Sequence, residues 1–392
     1  MATSDQSSLP KTAYLGPEAS FSNQASIAAL PNTKALPLPS FKAILATLQD
    51  STKGCNYAVL PVENSTNGSV VQTLDLLARC GHDPDTSLYP DVEVIDEHYL
   101  EVHHCLFVSR AWAEQTLSKN ELESLPSYTA EPETQQAEHS LQHRNGSNGG
   151  VGTEQSIASL EQILKKLDIK TLYTHPQVWG QCNNLLSELL PPGLVERVDM
   201  SSTSAAAAFV AQNSPDAAAR IAAISSTLAG AKHSQELLCV AQNIEDDPGA
   251  NTTRFLVLRN RHRPMPPCND LPDLPSDSTV QIKSLWTFTI PHSRPGSLAT
   301  ALAVFAKHGF NLSAIQSRPQ PENQQQKQQN GVSAGTKKQE KNWKYVFFVE
   351  CLHTRDNADS QTGSPEYLSL LQDLRGVTEK VSPLGEWRDR LS

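Results

Sequence analysis

Four short stretches gather hydroxyl, amide and guanidinium groups at the ends of apolar runs: GPEASFS (16–22), PVENSTNGS (61–69), YTHPQVWGQC (173–182) and NTTRF (251–255). The candidate ligand contacts in them are Ser20 and Ser22; Glu63, Asn64 and Ser65; Thr174 and Gln181; and Thr253, Arg254 and Phe255. Most are neutral hydrogen-bonding groups. Such groups can hold and orient an anionic ligand, as the free N–H groups of helix starts also do. Each has a plainer reading. Serines after a turn cap helices, Pro176 at a helix start is ordinary punctuation, Thr253 can simply begin a strand, and Arg254 can lie at the surface.

What is missing narrows the chemistry. No G-x-G-x-x-G follows a strand and no G-x-x-x-x-G-K-[ST] is present, so neither a nicotinamide nor a nucleoside triphosphate site is expected. His103-His104-Cys105 opens the apolar run HHCLFV without matching carboxylate spacing, so it reads as a strand start rather than a metal site. The seven cysteines form no C-x-x-C pair, which argues against zinc and against a disulfide framework. No metal and no cofactor is expected.

The elements that must position these groups recur from residue 11 to about 260: an apolar run, a polar turn, then an amphipathic helical stretch. That alternation predicts an α/β domain with mainly parallel strands. Ligands of such sheets bind beyond the carboxyl ends of the strands, where the polar turns lie. The 392 residues carry 32 basic and 42 acidic side chains, a net charge of −10, with no basic stripe for nucleic acid. Scattered cysteines, an N-terminus without an apolar signal core, and no run of about 18 apolar residues predict a cytoplasmic protein without a membrane span.

Three stretches break the pattern: a polar insertion at 130–150, a Pro-rich linker at 260–279, and a Gln/Asn/Lys-rich excursion at 320–342. Residues 280–388 read as a second unit of βαββαβ order, a ferredoxin-like module. Its sheet is expected to leave an edge or a face for pairing with another copy.

YLGPEASFS, AVLPVENSTNGSVVQTLDLL, LYTHPQVWGQC, STSAAAAFVAQ, AAISSTLAG and NIEDDPGANTTRFLVL, in that order, resemble prephenate dehydratases. GSLATAL and NLSAIQSRP resemble the regulatory ACT domain that follows in those enzymes. The resemblance implies a two-lobed catalytic domain of the type II periplasmic-binding-protein kind over 11–259. One lobe would hold about 11–90 plus a C-terminal return, the other about 100–250, and the ACT domain would follow over 280–388.

It also implies a carbon–oxygen lyase converting prephenate to phenylpyruvate, carbon dioxide and water in phenylalanine biosynthesis. Thr253 of the T-R-F motif would be the catalytic residue. Glu63, Asn64, Ser65, Thr174, Gln181, Ser20, Ser22, Arg254 and Phe255 would contact substrate. Phenylalanine would act as effector at Gly296, Ser297, Leu298, Ala299, Gln316, Ser317, Arg318 and Pro319, between two copies of a homodimer or homotetramer. Ala19 stands where the family has glycine, which predicts an ordinary backbone angle there. Three other readings stay open at this point: an arogenate dehydratase, a non-enzymatic solute-binding protein, and an amino-acid sensor working through its ACT module.

Overall fold

The computed structural model describes residues 9–81, 87–126, 154–213, 219–247, 249–265, 279–320, 344–356 and 365–391. The insertion at 130–150, residues 266–278 of the linker and residues 321–342 of the excursion lie outside them. Among the described residues no helix is long and apolar enough to cross a membrane.

The first sheet begins with β1 (Lys11–Leu15), β2 (Lys34–Leu38) and β3 (Tyr57–Asn64), all parallel to one another in the order β3-β1-β2. Helix α1 (Phe21–Ala29) starts at the Ser20 cap, whose hydroxyl accepts the Asn23 N–H, and α2 (Phe41–Gln49) starts at the Ser40 cap in the same way. The short β4 (Gly68–Ser69) and α3 (Val71–Leu77) follow β3. Strand β5 (Val92–Glu101) then carries the chain towards a second sheet, and β11 (Thr252–Asn260) brings it back between β3 and β5, antiparallel to both.

The second sheet has the order β10-β6-β9-β7-β8, from β6 (Cys105–Ser109), β7 (Thr171–Thr174), β8 (Glu196–Asp199), β9 (Ile221–Ser225) and β10 (Leu237–Ala241). Strand β9, IAAIS, is buried at every position, as a strand covered on both faces must be. Around this sheet lie α4 (Arg110–Thr116), α5 (Lys119–Ser124), α6 (Glu154–Leu167), α7 (Pro176–Gln181), α8 (Asn183–Leu189), α9 (Thr203–Gln212) and α10 (Thr227–Lys232). Both sheets are mixed rather than mainly parallel, because β5, β6, β10 and β11 flank the two crossings between lobes and run against their neighbours.

The C-terminal unit runs β12 (Thr279–Thr289), α11 (Ser297–Lys307), β13 (Asn311–Pro319), β14 (Tyr345–Asp356), α12 (Pro365–Val377) and β15 (Lys380–Arg388). One face of its sheet packs on α11 and α12 through Trp286, Phe288, Phe305, Val349 and Leu370. The opposite face is not available: Leu285, Val346, Phe348, Leu384 and Trp387 join the core formed by α2, α3, β3 and β11 of the first lobe. Strand β13 remains the outer edge of the ten-stranded sheet within this chain. The two parts of that sheet meet where Gly385 pairs with Val94, so closely that a Cβ on Gly385 would stand 1.9 Å from the Val94 carbonyl oxygen. Only glycine admits that approach of two backbones.

Candidate functional site

Thr253, near the start of β11, stands opposite Asn64 at the end of β3. Asn64 Nδ2 donates to Thr253 Oγ1 and to Asn251 Oδ1, both at 2.9 Å, and to the Thr252 carbonyl at 3.3 Å. Its Oδ1 accepts the backbone N–H groups of Thr66 at 3.0 Å and Asn67 at 2.9 Å. Two backbone donors can meet only an oxygen, so the orientation of this amide is forced. All the hydrogen-bonding capacity of Asn64 is therefore used inside the protein. It holds Thr253 rather than offering a group to a ligand, which differs from the expected substrate contact. Because Asn64 donates to the threonine oxygen, the hydroxyl proton of Thr253 is left to point elsewhere.

Ser65 is committed as well: its hydroxyl donates to the Ala250 carbonyl and accepts the Thr252 N–H, fastening the 250–252 turn to β3. The next residues of β11 follow the alternation of a strand. Phe255 is 1% exposed and packs with Tyr57, Val59 and Leu100, as a core residue and not a wall of the site.

Arg254 faces the C-terminal unit. Its guanidinium reaches Glu97 of β5 at 2.8 Å and Glu350 of β14 at 2.5 Å, with half-exposed Glu63 farther off at 3.8 Å. Lys283 of β12 completes the cluster, 2.7 Å from Glu97 and 3.0 Å from Asp389. Burial, which disfavours the charged forms, is outweighed by Glu350 and Glu97 at Arg254 and by Glu97 and Asp389 at Lys283, so both stay cationic. Neither Arg254 nor Glu63 joins the Thr253 face; they belong to an ionic joint between lobe and C-terminal unit.

Gln181 closes α7 on the second lobe. Its Oε1 lies 2.9 Å from His104 Nε2, and its backbone carbonyl accepts the Asp246 N–H at 2.7 Å. His104 is 1% exposed, its ring edge-on to Phe21 of α1 with centroids 5.9 Å apart. Burial pushes its pKa below the ordinary imidazole range, which keeps the ring neutral at pH 7. Glu245 accepts the His104 backbone N–H at 2.9 Å and pairs with His103 Nδ1 at 2.7 Å. Burial opposes ionisation of Glu245, but those two partners hold its carboxyl below the usual range.

Thr174 is fully enclosed, and its hydroxyl donates to the Ile224 carbonyl at 2.8 Å, so it braces the second sheet rather than facing a ligand. Ser20 caps α1 and donates to the Leu15 carbonyl at 3.3 Å. Ser22, in the first turn of α1, makes no side-chain hydrogen bond among the described residues. Ala19 adopts a left-handed φ of 64°, contrary to the ordinary angle expected. For an L-residue that conformation costs roughly 1–2 kcal/mol. Two features offset it: its N–H meets Asn23 Oδ1 at 2.8 Å, and its methyl packs with Cys105, Phe107 and Ala206 of the second lobe.

In the C-terminal unit Gly296, with φ 82°, and Ser297, Leu298 and Ala299 line an open cavity of about 530 Å³ together with Ile290 and His292. Gln316, Ser317, Arg318 and Pro319 lie apart on edge strand β13. Arg318 forms a two-pronged pair with Asp75 of α3, at 2.6 and 3.2 Å, so its guanidinium is engaged by the first lobe rather than free for an effector.

Three residues not expected as ligand contacts hold these groups in place: Asn251, inside the NTTRF stretch, His104, read only as part of a strand start, and Glu245. Asn251 stands two residues before Thr253 and could have been included on proximity. His104 and Glu245 are 141 residues apart along the backbone contact that joins them, and nothing local marks them as partners.

The prephenate dehydratase family model matches residues 12–145 and 151–263. A probable prephenate dehydratase of Saccharomyces cerevisiae is 28% identical over 354 residues, covering 86% of this chain and 85% of that one. An arogenate dehydratase/prephenate dehydratase of Arabidopsis thaliana is 27% identical over 340 residues, 87% of this chain and 64% of that one. Among solved structures, prephenate dehydratase of Arthrobacter aurescens in complex with L-Phe shares the fold at a TM-score of 0.61 and 22% identity, over 97% of this chain and 90% of that one. With a family model that spans both lobes, the chain belongs to the prephenate dehydratase family.

Proposed function

We propose that this chain converts prephenate to phenylpyruvate, with Thr253 donating a hydrogen bond to the C4 oxygen as it leaves. Prephenate needs no covalent nucleophile. When the ring carboxylate departs as carbon dioxide, the electrons of its bond to the ring complete the aromatic sextet. The C4–O bond breaks with its electron pair on oxygen, and that oxygen takes a proton to leave as water. An oriented hydroxyl suits this step because its partner bond strengthens as negative charge builds on the oxygen. The observation that carries the reading is the Asn64 amide, oriented by two backbone N–H groups, donating to Thr253 Oγ1 at 2.9 Å and so leaving the hydroxyl proton for the substrate. Gln181 and Ser22 supply further neutral contacts to the dianion.

The C-terminal βαββαβ unit is read as an ACT module that takes phenylalanine in the cavity at Gly296–Ala299. The Arthrobacter aurescens neighbour solved with L-Phe supports that ligand. The direct test follows phenylpyruvate absorbance after mixing purified protein with prephenate, then repeats the assay with phenylalanine. No phenylpyruvate would overturn the catalytic reading, and unchanged turnover with phenylalanine would overturn the effector reading. The name of the Arabidopsis thaliana relative favours a second substrate, arogenate, whose side chain bears an amine in place of the ketone. Parallel kcat/KM values on the two substrates decide between them.

A further inference from the structure

We infer that His104 is a positioning residue: it locks the side-chain amide of Gln181 so that its NH2 group, and not its oxygen, is presented to substrate. The inference rests on the dehydratase reading above and concerns how that same site is held. His104 sits between the lobes, enclosed by Phe21 of α1 on one side and Gln181 of α7 on the other. Its ring Nε2 is 2.9 Å from Gln181 Oε1, while Nδ1 is buried and meets no hydrogen-bond partner among the described residues.

A neutral imidazole carries one N–H and one bare nitrogen. Placing the hydrogen on Nδ1 would bury an N–H donor without a partner, which folded proteins avoid more strictly than an unpaired acceptor. The hydrogen therefore belongs on Nε2, where it points at Gln181. A hydrogen on Nε2 requires the amide oxygen to face it. Turning the amide over would set donor against donor.

The same short segment holds both partners. Glu245 takes the His104 backbone N–H at 2.9 Å, and the adjacent Asp246 donates its N–H to the Gln181 carbonyl at 2.7 Å. The Asp246 carboxylate also accepts the N–H groups of Asn183 at 3.1 Å and Asn184 at 2.8 Å, at the start of α8. The imidazole and the amide are thus anchored at their backbones before their side chains meet. Gln181 then offers hydrogen-bond donors alone, complementary to the carboxylate and ketone oxygens of prephenate.

A double-mutant cycle tests the relay, with kcat/KM on prephenate as the readout. His104→Phe keeps a flat ring against Phe21 and removes the donor. It should lower kcat/KM roughly tenfold, the worth of about one neutral hydrogen bond. In a Gln181→Ala background the same change should cost nothing further. His104→Gln, whose Nε2 can reach the place of the imidazole Nε2, should restore most of the loss, and the shorter His104→Asn should not. Additive losses in the cycle, or full activity of His104→Phe, would overturn the relay. If His104→Phe does not fold, the Gln and Asn variants decide, since equal losses in both would also overturn it. An unmodified protein inactive on prephenate would instead sink the dehydratase reading beneath it.

Discussion

The two faces of β11 near its start carry opposite chemistry, one neutral and one charged. Thr253 takes a hydrogen bond from the neutral amide of Asn64, while Arg254, one residue later, is locked among Glu97, Glu350 and Lys283. The contrast separates two tasks that both need hydrogen bonds. A charged group in the cleft would have to be desolvated with every substrate and would change with pH. On the other face the charges are buried once, during folding, and their fixed geometry holds the C-terminal unit to the catalytic sheet. Such clusters are weak evidence of net stability, yet breaking one is costly because the remaining charges are stranded.

The largest expected effect is on that charged face. Glu97→Ala leaves Arg254 and Lys283 without their shared carboxylate and should cost about 3–5 kcal/mol of stability. Chemical denaturation measures it, and a loss below about 1 kcal/mol would mean the cluster relaxes freely. Thr253→Val is its counterpart on the neutral face. It should cut kcat by about 10²–10³, or ~3–4 kcal/mol in the barrier, with the melting temperature nearly unchanged. The ratio of wild-type to variant kcat should also stay constant between about pH 6 and pH 8, because neither side chain titrates there.

Part of the pH dependence of stability lies in the C-terminal unit. Burial, reinforced by Arg355, pushes the His353 pKa down to about 4, whereas the unfolded chain takes up the proton near 6.5. The neutral ring is therefore no liability above pH 6.5, and stability falls as the pH drops from 6.5 towards 4. His353→Phe should flatten the slope of stability in that window, as read from melting temperatures across it. The smallest effect is expected at the half-exposed pair of Arg318 and Asp75. Asp75→Ala should change stability by no more than about 1 kcal/mol. A larger loss would show that this pair, rather than the buried cluster, carries the docking of the C-terminal unit.

The pairing of Thr253 with Asn64 is partly legible in the sequence alone. Thr253 and Asn64 stood out because polar residues at the end of an apolar run are where an α/β sheet exposes a ligand to backbone ends and side chains. Their roles were harder. Asn64 looked like a substrate contact and is wholly engaged in holding Thr253; Thr174 looked like a cleft hydroxyl and is sealed behind the second sheet. Ser65, Phe255 and Arg318 were misread for the same reason, since each is used by a partner far away in sequence. Arg254 could have been placed more sharply from strand alternation, which puts neighbouring residues of a strand on opposite faces.

By itself the sequence determined the α/β alternation and the βαββαβ order of the C-terminal unit, and it put Thr253 and Asn64 at the polar ends of apolar runs. These follow from local patterns of apolar and polar residues, which the backbone periods of helix and strand translate directly. Only the tertiary structure decided that the C-terminal sheet continues the first sheet through Gly385, that Arg254 faces away from the cleft, and that His104 stands behind Gln181. Each depends on groups brought together across long loops, where a hydrogen bond consumes a donor or acceptor that the local sequence still shows as free.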